Sequence, residues 1–416
     1  MKIPISEKSV LPNGLKVISE SIPSLRSAAL GIVVGAGSAD ELAGEEGLTH
    51  FIEHMAFKGT GRRSAFQIAQ ELDAVGGRLN AYTSKEYTVY YAVVLDRHFD
   101  VAADVLADIF LNPALRDNDI NMEKGVILEE INMYEDTPDE MVHDLFAETI
   151  LHGHPAGKPT LGNKDSVSGF KRDSFLNYRN RLYRPDNVIV AAAGNIDHSA
   201  VLDFSQKMFG SFEGKRRTAE IIVPEIKNET KLKYKKTEQV HICLGTKGLS
   251  QTDPDRYAFS VMETILGGSM SSWLFQEVRE KKGLAYAVYS TSMPLRNFGI
   301  SYVYAGTEKK NVDQVIQIIL SQFEKMKKQG ISAEELNRAK ENMKGGLVLG
   351  LESSSSRMSY MAKSEFFHGR TITVEEIFEK IDKVTNEDVI RLAESVFKKD
   401  YLTLTVIGDL QTCPKL

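Results

Sequence analysis

Two histidines and a glutamate stand together in His50-Phe51-Ile52-Glu53-His54, inside a stretch, Gly47–Lys58, that predicts a helix. Residues at i and i+4 project from one helix face, so the two imidazoles can share a metal ion. Glu53 follows His50 by three residues and brings a carboxylate to the same point without having to be a ligand. Zinc in a hydrolytic site takes about three protein ligands and leaves a fourth position for water, whose pKa falls to about 7. A carboxylate beside it can accept the proton as that water attacks a carbonyl.

A third ligand has to come from another element. The stretch Glu123–Tyr134 is amphipathic, and Glu123 and Glu130 lie seven apart on one face. Two carboxylates so placed suit a ligand plus a partner that orients a histidine. Spacing alone leaves Glu123, Glu129 and Glu130 open. Further along, Arg279 and Tyr286, again seven apart, could donate hydrogen bonds to a substrate carbonyl or a developing oxyanion. A run of acids, Glu135, Asp136, Asp139, Glu140 and Asp144, follows the presumed ligand helix.

The elements that carry these residues are expected to occur twice. Ser27–Gly35 and Thr237–Gly245 are apolar strands ending in glycine, at an offset of 210. Gln70–Gly77 and Gln276–Gly283 match at an offset of 206, and each half closes on a hydrophobic strand and turn, Asn187–Asp197 and Leu402–Asp409. Strands such as Tyr87–Leu95 alternate with long helical stretches such as Asp100–Leu111 and Asn311–Gln329. Runs of helices between strands argue for α+β: two homologous α/β-sandwich domains, each a mostly antiparallel sheet with helices packed on it. The expected boundaries are a zinc-binding domain over 1–212, a linker over 213–231, and a homologous domain over 232–416. At the offset of 210, His50, Glu53, His54 and Glu130 become Ser260, Glu263, Thr264 and Lys340. One zinc per chain, in the first half, is therefore expected.

Composition restricts the rest. The chain has 416 residues, with 51 basic and 57 acidic side chains and a net charge of −6. Such a chain has no general attraction for nucleic acid or anionic lipid. Its longest apolar stretches, Ala29–Ala36 and Val188–Ala193, are too short to span a membrane. Met1–Val10 reads as neither a signal nor a transit peptide, and the two cysteines, Cys243 and Cys413, cannot make a disulfide framework. A cytoplasmic location is the expectation.

The H-x-x-E-H order is the inverted zinc-peptidase signature. Together with Gly47–Thr60, and with flanking runs from Leu11–Val17 to Val406–Leu410, it resembles the insulinase/pitrilysin metallopeptidases over nearly the whole chain. Within them it is most similar to the mitochondrial-processing-peptidase-like bacterial proteases. The resemblance implies His50, His54 and Glu130 as zinc ligands, Glu53 as catalytic base, and Glu123 as the acid behind a ligand. It implies Arg279 and Tyr286 as the substrate and oxyanion pair, and Asn80 and Ala81 on an edge strand that holds extended peptides main chain to main chain. Glu140 and Asp144 match acids that contact a basic substrate residue. The family builds its chamber from four such units, so a homodimer is implied, with the Arg–Tyr pair acting on the partner's zinc half. The expected activity is zinc-dependent endopeptidase; a non-catalytic core-protein-like subunit or a peptide-binding module is the alternative.

Overall fold

The computed structural model describes residues 6–215 and 222–416. Residues 1–5 of the Met1–Val10 leader reading and 216–221 of the expected linker lie outside the described residues. Among those described, the strands form two sheets. The first contains β1 (Ser6–Val10), β2 (Lys16–Ser21), β3 (Ser27–Val34), β4 (Arg78–Thr83), β5 (Thr88–Leu95) and β6 (Val188–Gly194), in the order β1-β2-β6-β3-β5-β4. The second contains β7 (Glu229–Tyr234), β8 (Val240–Gly248), β9 (Ala285–Pro294), β10 (Gly299–Thr307) and β11 (Thr403–Gly408), in the order β7-β11-β8-β10-β9. Only β2–β6 and β7–β11 pair in parallel. Apart from the extra β1, the two sheets share one topology down to the position of the parallel pair, which is the duplication expressed in three dimensions.

β3 shows why each sheet needs helices on both faces. Ala28, Leu30, Ile32 and Val34 belong to one buried cluster, with Phe51, Ile52 and Met55 of the histidine helix Leu48–Ala56. Ala29 and Val33 belong to another, with Met358, Met361 and Ala362. Alternating side chains point to opposite faces, so a strand buried on both sides has no polar register.

The second layer of each sheet comes from the other half of the sequence. Helix Ser354–His368 packs on β2, β3 and β6, and helix Pro138–Ile150 on β8, β10 and β11. One compact unit is accordingly Met1–Ile131, Pro159–Glu220 and Leu349–Ile372; the other is Asn132–Lys158, Ile221–Val348 and Thr373–Leu416. This differs from the contiguous boundaries 1–212 and 232–416, because an apolar helix face records that it must be buried but not against which sheet. The expected linker also needs correction. Residues 229–231 begin β7, an edge strand whose charged residues face water while its backbone bonds β11.

Specific contacts seat the helix Ser354–His368. Gly31 leaves room for Met358: a Cβ there would lie 2.4 Å from its sulfur. The carboxylate of Glu365, only 1% exposed, accepts from Lys8 and Lys16 at 2.8 and 2.9 Å, and Arg357 pairs with the buried Glu20. No helix among the described residues is long and apolar enough to cross a membrane. Met358→Ala should destabilise by about 2–4 kcal/mol through the cavity it leaves. Hydrogen exchange should accelerate in β2, β3 and β6 and stay unchanged in β8, β10 and β11; acceleration in the second sheet instead would contradict the exchanged packing.

Candidate metal centre

The histidine helix is held from outside itself. Its N-cap is Gly47, in the left-handed region at φ 89°, with no side chain to cap the first turn. Glu41 supplies the missing acceptor: its two oxygens take the N–H groups of Gly47 (2.9 Å) and Thr49 (2.8 Å). Glu41 is 5% exposed, and burial pushes its carboxyl up to about 7 against the pull of those backbone donors. Nothing near the motif in sequence marks Glu41; the only signal is a glycine N-cap that leaves the helix start without a partner.

From this helix His50 and His54 turn their rings toward each other, centroids 4.5 Å apart. Helix Asp117–Glu135 brings Glu130 opposite, with its oxygens 3.9 Å from His50 Nε2 and 3.8 Å from His54 Nε2. One donor atom from each residue falls within 4.8 Å of the other two. Tetrahedral ligands at about 2.05 Å stand roughly 3.3 Å apart, so the triangle fits zinc after a small contraction. His50 is pushed down to about 3 by burial and then by His54, which leaves a neutral imidazole of the kind a metal needs. Glu129, the alternative that spacing left open, is exposed.

Glu123 is 3% exposed and accepts from His54 Nδ1 at 2.8 Å, while Lys58 Nζ lies 2.5 Å from its other oxygen. Burial works to raise this carboxyl, but the hydrogen bonds from His54 and Lys58 outweigh it and hold it below the ordinary range. Glu53 lies on the same helix. Burial raises its carboxyl, and the Thr83 hydroxyl, donating to Oε2 at 2.6 Å, partly offsets this. Thr83 ends β4, so the edge strand and the Glu53 carboxylate are tied together.

Asn80 and Ala81 also lie on β4, at the free edge of the first sheet. The Ala81 N–H donates to Asn80 Oδ1 at 2.8 Å rather than to a neighbouring strand. Arg279 and Tyr286 belong to the other compact unit, where they meet each other: the guanidinium lies 4.7 Å from the Tyr286 ring centroid and 4.8 Å from that of Phe275. Tyr286 is 78% exposed. Glu140 is exposed in the first turn of helix Pro138–Ile150, and Asp144 on the same helix lies beside Tyr134. In the second unit, Ser260 and Thr264 donate to backbone carbonyls of their own helix, and Glu263 accepts from Ser292 (2.9 Å) and Ser301 (2.6 Å). The counterpart helix is thus kept while its metal-binding face is not.

Comparisons with known proteins point the same way. Residues 16–164 match the family profile described as insulinase (peptidase family M16), and residues 169–343 match the one described as peptidase M16 inactive domain. The chain is 43% identical to the uncharacterized zinc protease YmxG of Bacillus subtilis, over 94% of this chain and 95% of that one. It is 40% identical to an uncharacterized zinc protease of Streptomyces coelicolor, over 97% and 90%. Among solved structures, a protease from Helicobacter pylori superposes with a TM-score of 0.91 at 24% identity, covering 97% of this chain and 99% of that one. A peptidase M16 inactive domain from Pseudomonas fluorescens does so with 0.91 at 20%, covering 99% of each. Both share the fold.

Glu41 carries a pH signature. Its carboxyl binds a proton more tightly folded (about 7) than in its ordinary state (4.5), so its contribution is full below pH 4.5 and lost as pH rises through 7. Between these limits wild type should lose about 3 kcal/mol more stability than Glu41→Gln, measured by urea unfolding. Parallel pH profiles would remove Glu41 from this role.

Proposed function

The chain belongs to the insulinase (M16) peptidase family, and on that premise we propose that it is a zinc-dependent endopeptidase hydrolysing peptide bonds in extended or unfolded peptides. The observation that carries the reading is the donor triangle of His50, His54 and Glu130, with Glu53 beside it and the edge strand β4 fastened to Glu53 through Thr83.

His50, His54 and Glu130 hold one zinc per chain. When bound, zinc supplies Lewis acidity toward a peptide carbonyl and toward water. Glu53 accepts a proton from the attacking water and passes it to the departing amine; its burial suits a group that must hold a proton between two transfers. Because Thr83 occupies Oε2, Oε1 is the oxygen left for that proton. Glu123 keeps His54 in the tautomer whose Nε2, on the side of Glu130, is left with a lone pair that would bind the metal.

A substrate adds to β4 as a further strand, which recognises main chain and tolerates varied side chains. Asn80 then has to give up the Ala81 N–H it covers, so its amide protects the free edge until a peptide replaces it. Glu140 and Asp144 give this reading a preference for peptides with a basic residue near the cleaved bond. Arg279 and Tyr286 donate hydrogen bonds to substrate and oxyanion, contributed across a homodimer in which each copy completes the other's site. The two free cysteines, Cys243 and Cys413, fit a reducing compartment and support a cytoplasmic location. The complete donor set supports catalysis over a purely structural role for the same fold.

Two experiments test the reading. With a quenched fluorogenic peptide, Glu53→Gln should retain zinc while turnover falls at least about 10³-fold, in the upper half of the usual share of a general acid–base group because the same carboxyl serves two transfers. Unchanged turnover would remove Glu53 as base. Mixing inactive Glu53→Gln with inactive Tyr286→Phe should restore activity at one of the two sites of a mixed dimer. No recovery after subunit exchange would refute the crossed arrangement.

A further inference from the structure

We propose that Lys58 is a positioning residue of the metal centre: acting through the Glu123 carboxylate, it sets the orientation of His54 and with it the affinity of the site for zinc. The inference rests on the zinc reading above and concerns how that site is held.

Lys58 stands just past the end of the histidine helix, and its backbone is fixed there. Its N–H donates to Met55 O at 3.2 Å. The next residue, Gly59, has φ 115°, a conformation that side chains other than glycine rarely adopt. Thr60 follows, with its hydroxyl on the buried Asp108 (2.7 Å) and its backbone bridged to Pro113. From that fixed base the side chain reaches Glu123, its ammonium 2.5 Å from Oε2.

The carboxylate it meets is almost completely buried, and its two oxygens divide their work. Oε1 takes His54 Nδ1 and Oε2 takes Lys58. An exposed ion pair of this kind would contribute little. Here the carboxylate has almost no water to turn to, so removing Lys58 leaves Oε2 without its donor. Rotating to recover one would take Oε1 away from His54, and the ring would lose the partner that aims Nε2 at Glu130.

The other histidine offers no substitute. His50 Nδ1 is buried, and no group among the described residues forms a hydrogen bond with it. Orientation by hydrogen bonding is thus concentrated in the chain Lys58–Glu123–His54, and the contribution of Lys58 to metal binding should be correspondingly large.

The test uses full-length protein and zinc itself, with affinity read by competition with a chromogenic chelator. Wild type, Lys58→Met, Lys58→Arg, Glu123→Gln and the Lys58→Met/Glu123→Gln double variant are compared, with thermal midpoints of the metal-free forms recorded alongside. Lys58→Met should weaken zinc binding about 10- to 100-fold, the usual reach of a residue behind a ligand. Its metal-free midpoint should fall because Glu123 loses a donor, the affinity being read at a temperature where every variant is folded, and Lys58→Arg should recover most of both. The double variant should bind within about twofold of Glu123→Gln alone, because Lys58 has no other route to the metal. Wild-type affinity in Lys58→Met, or a full further loss in the double variant, would overturn the assignment. If Lys58→Met does not fold, Lys58→Gln takes its place in the same cycle under the same criteria. Failure of wild type to bind zinc at all would instead overturn the underlying zinc reading.

Discussion

A carboxylate removed from water has to be given donors by the protein, and around the metal centre this requirement is met three times by groups from elsewhere. Glu41 takes two backbone N–H groups at the start of the histidine helix. Glu123 takes an imidazole and an ammonium at its far end. Glu53 takes a hydroxyl from the edge strand. Each pairing joins two elements, so a loop, two helices and a strand are fixed relative to one another by the cost of leaving a shielded carboxyl group short of partners. The hydrophobic core sets the general arrangement, and these carboxylates refine it to the tolerance a metal requires.

The centre itself was legible in the sequence because helical periodicity converts spacing directly into geometry. His50 and His54, one turn apart, face each other, with Glu53 close by on the same helix. Glu130 was harder: spacing alone left three glutamates, and only the family resemblance separated Glu130, which faces both imidazoles, from Glu129, which faces water. Lys58 and Glu41 could not be read, because one reaches across from a turn and the other from a loop, and no period relates them to their partners. The expected linker runs into the first three residues of β7 because an edge strand bonded on one side can carry charge where it faces water. The exchange of helices between the two sheets was invisible for a related reason: amphipathicity gives a helix a buried face without giving that face an address.

Duplication explains what the second unit keeps and what it has dropped. Its helix Arg256–Leu266 still presents a half-buried glutamate, Glu263, to hydroxyls on β9 and β10, much as Glu53 meets Thr83. Where the first unit has imidazoles, the second has Ser260 and Thr264, whose hydroxyls are spent on their own helix. The helix and its acid thus occur in both units, while the candidate metal-binding side chains occur in the first alone.

The exchanged helix has a consequence for how the protein comes into being. A ribosome releases the chain from its N-terminus, and β1 to β6 with the whole metal centre emerge long before residues 354–368. Until that helix arrives, Ala29, Val33, Met361 and their neighbours have no second layer to bury against. The first unit therefore reaches its final form only near the end of synthesis, when almost all of the second exists as well. The order of synthesis and the order of packing thus run in opposite senses: the candidate metal-binding residues emerge early, and a chain that stops before residue 354 leaves one face of their sheet uncovered.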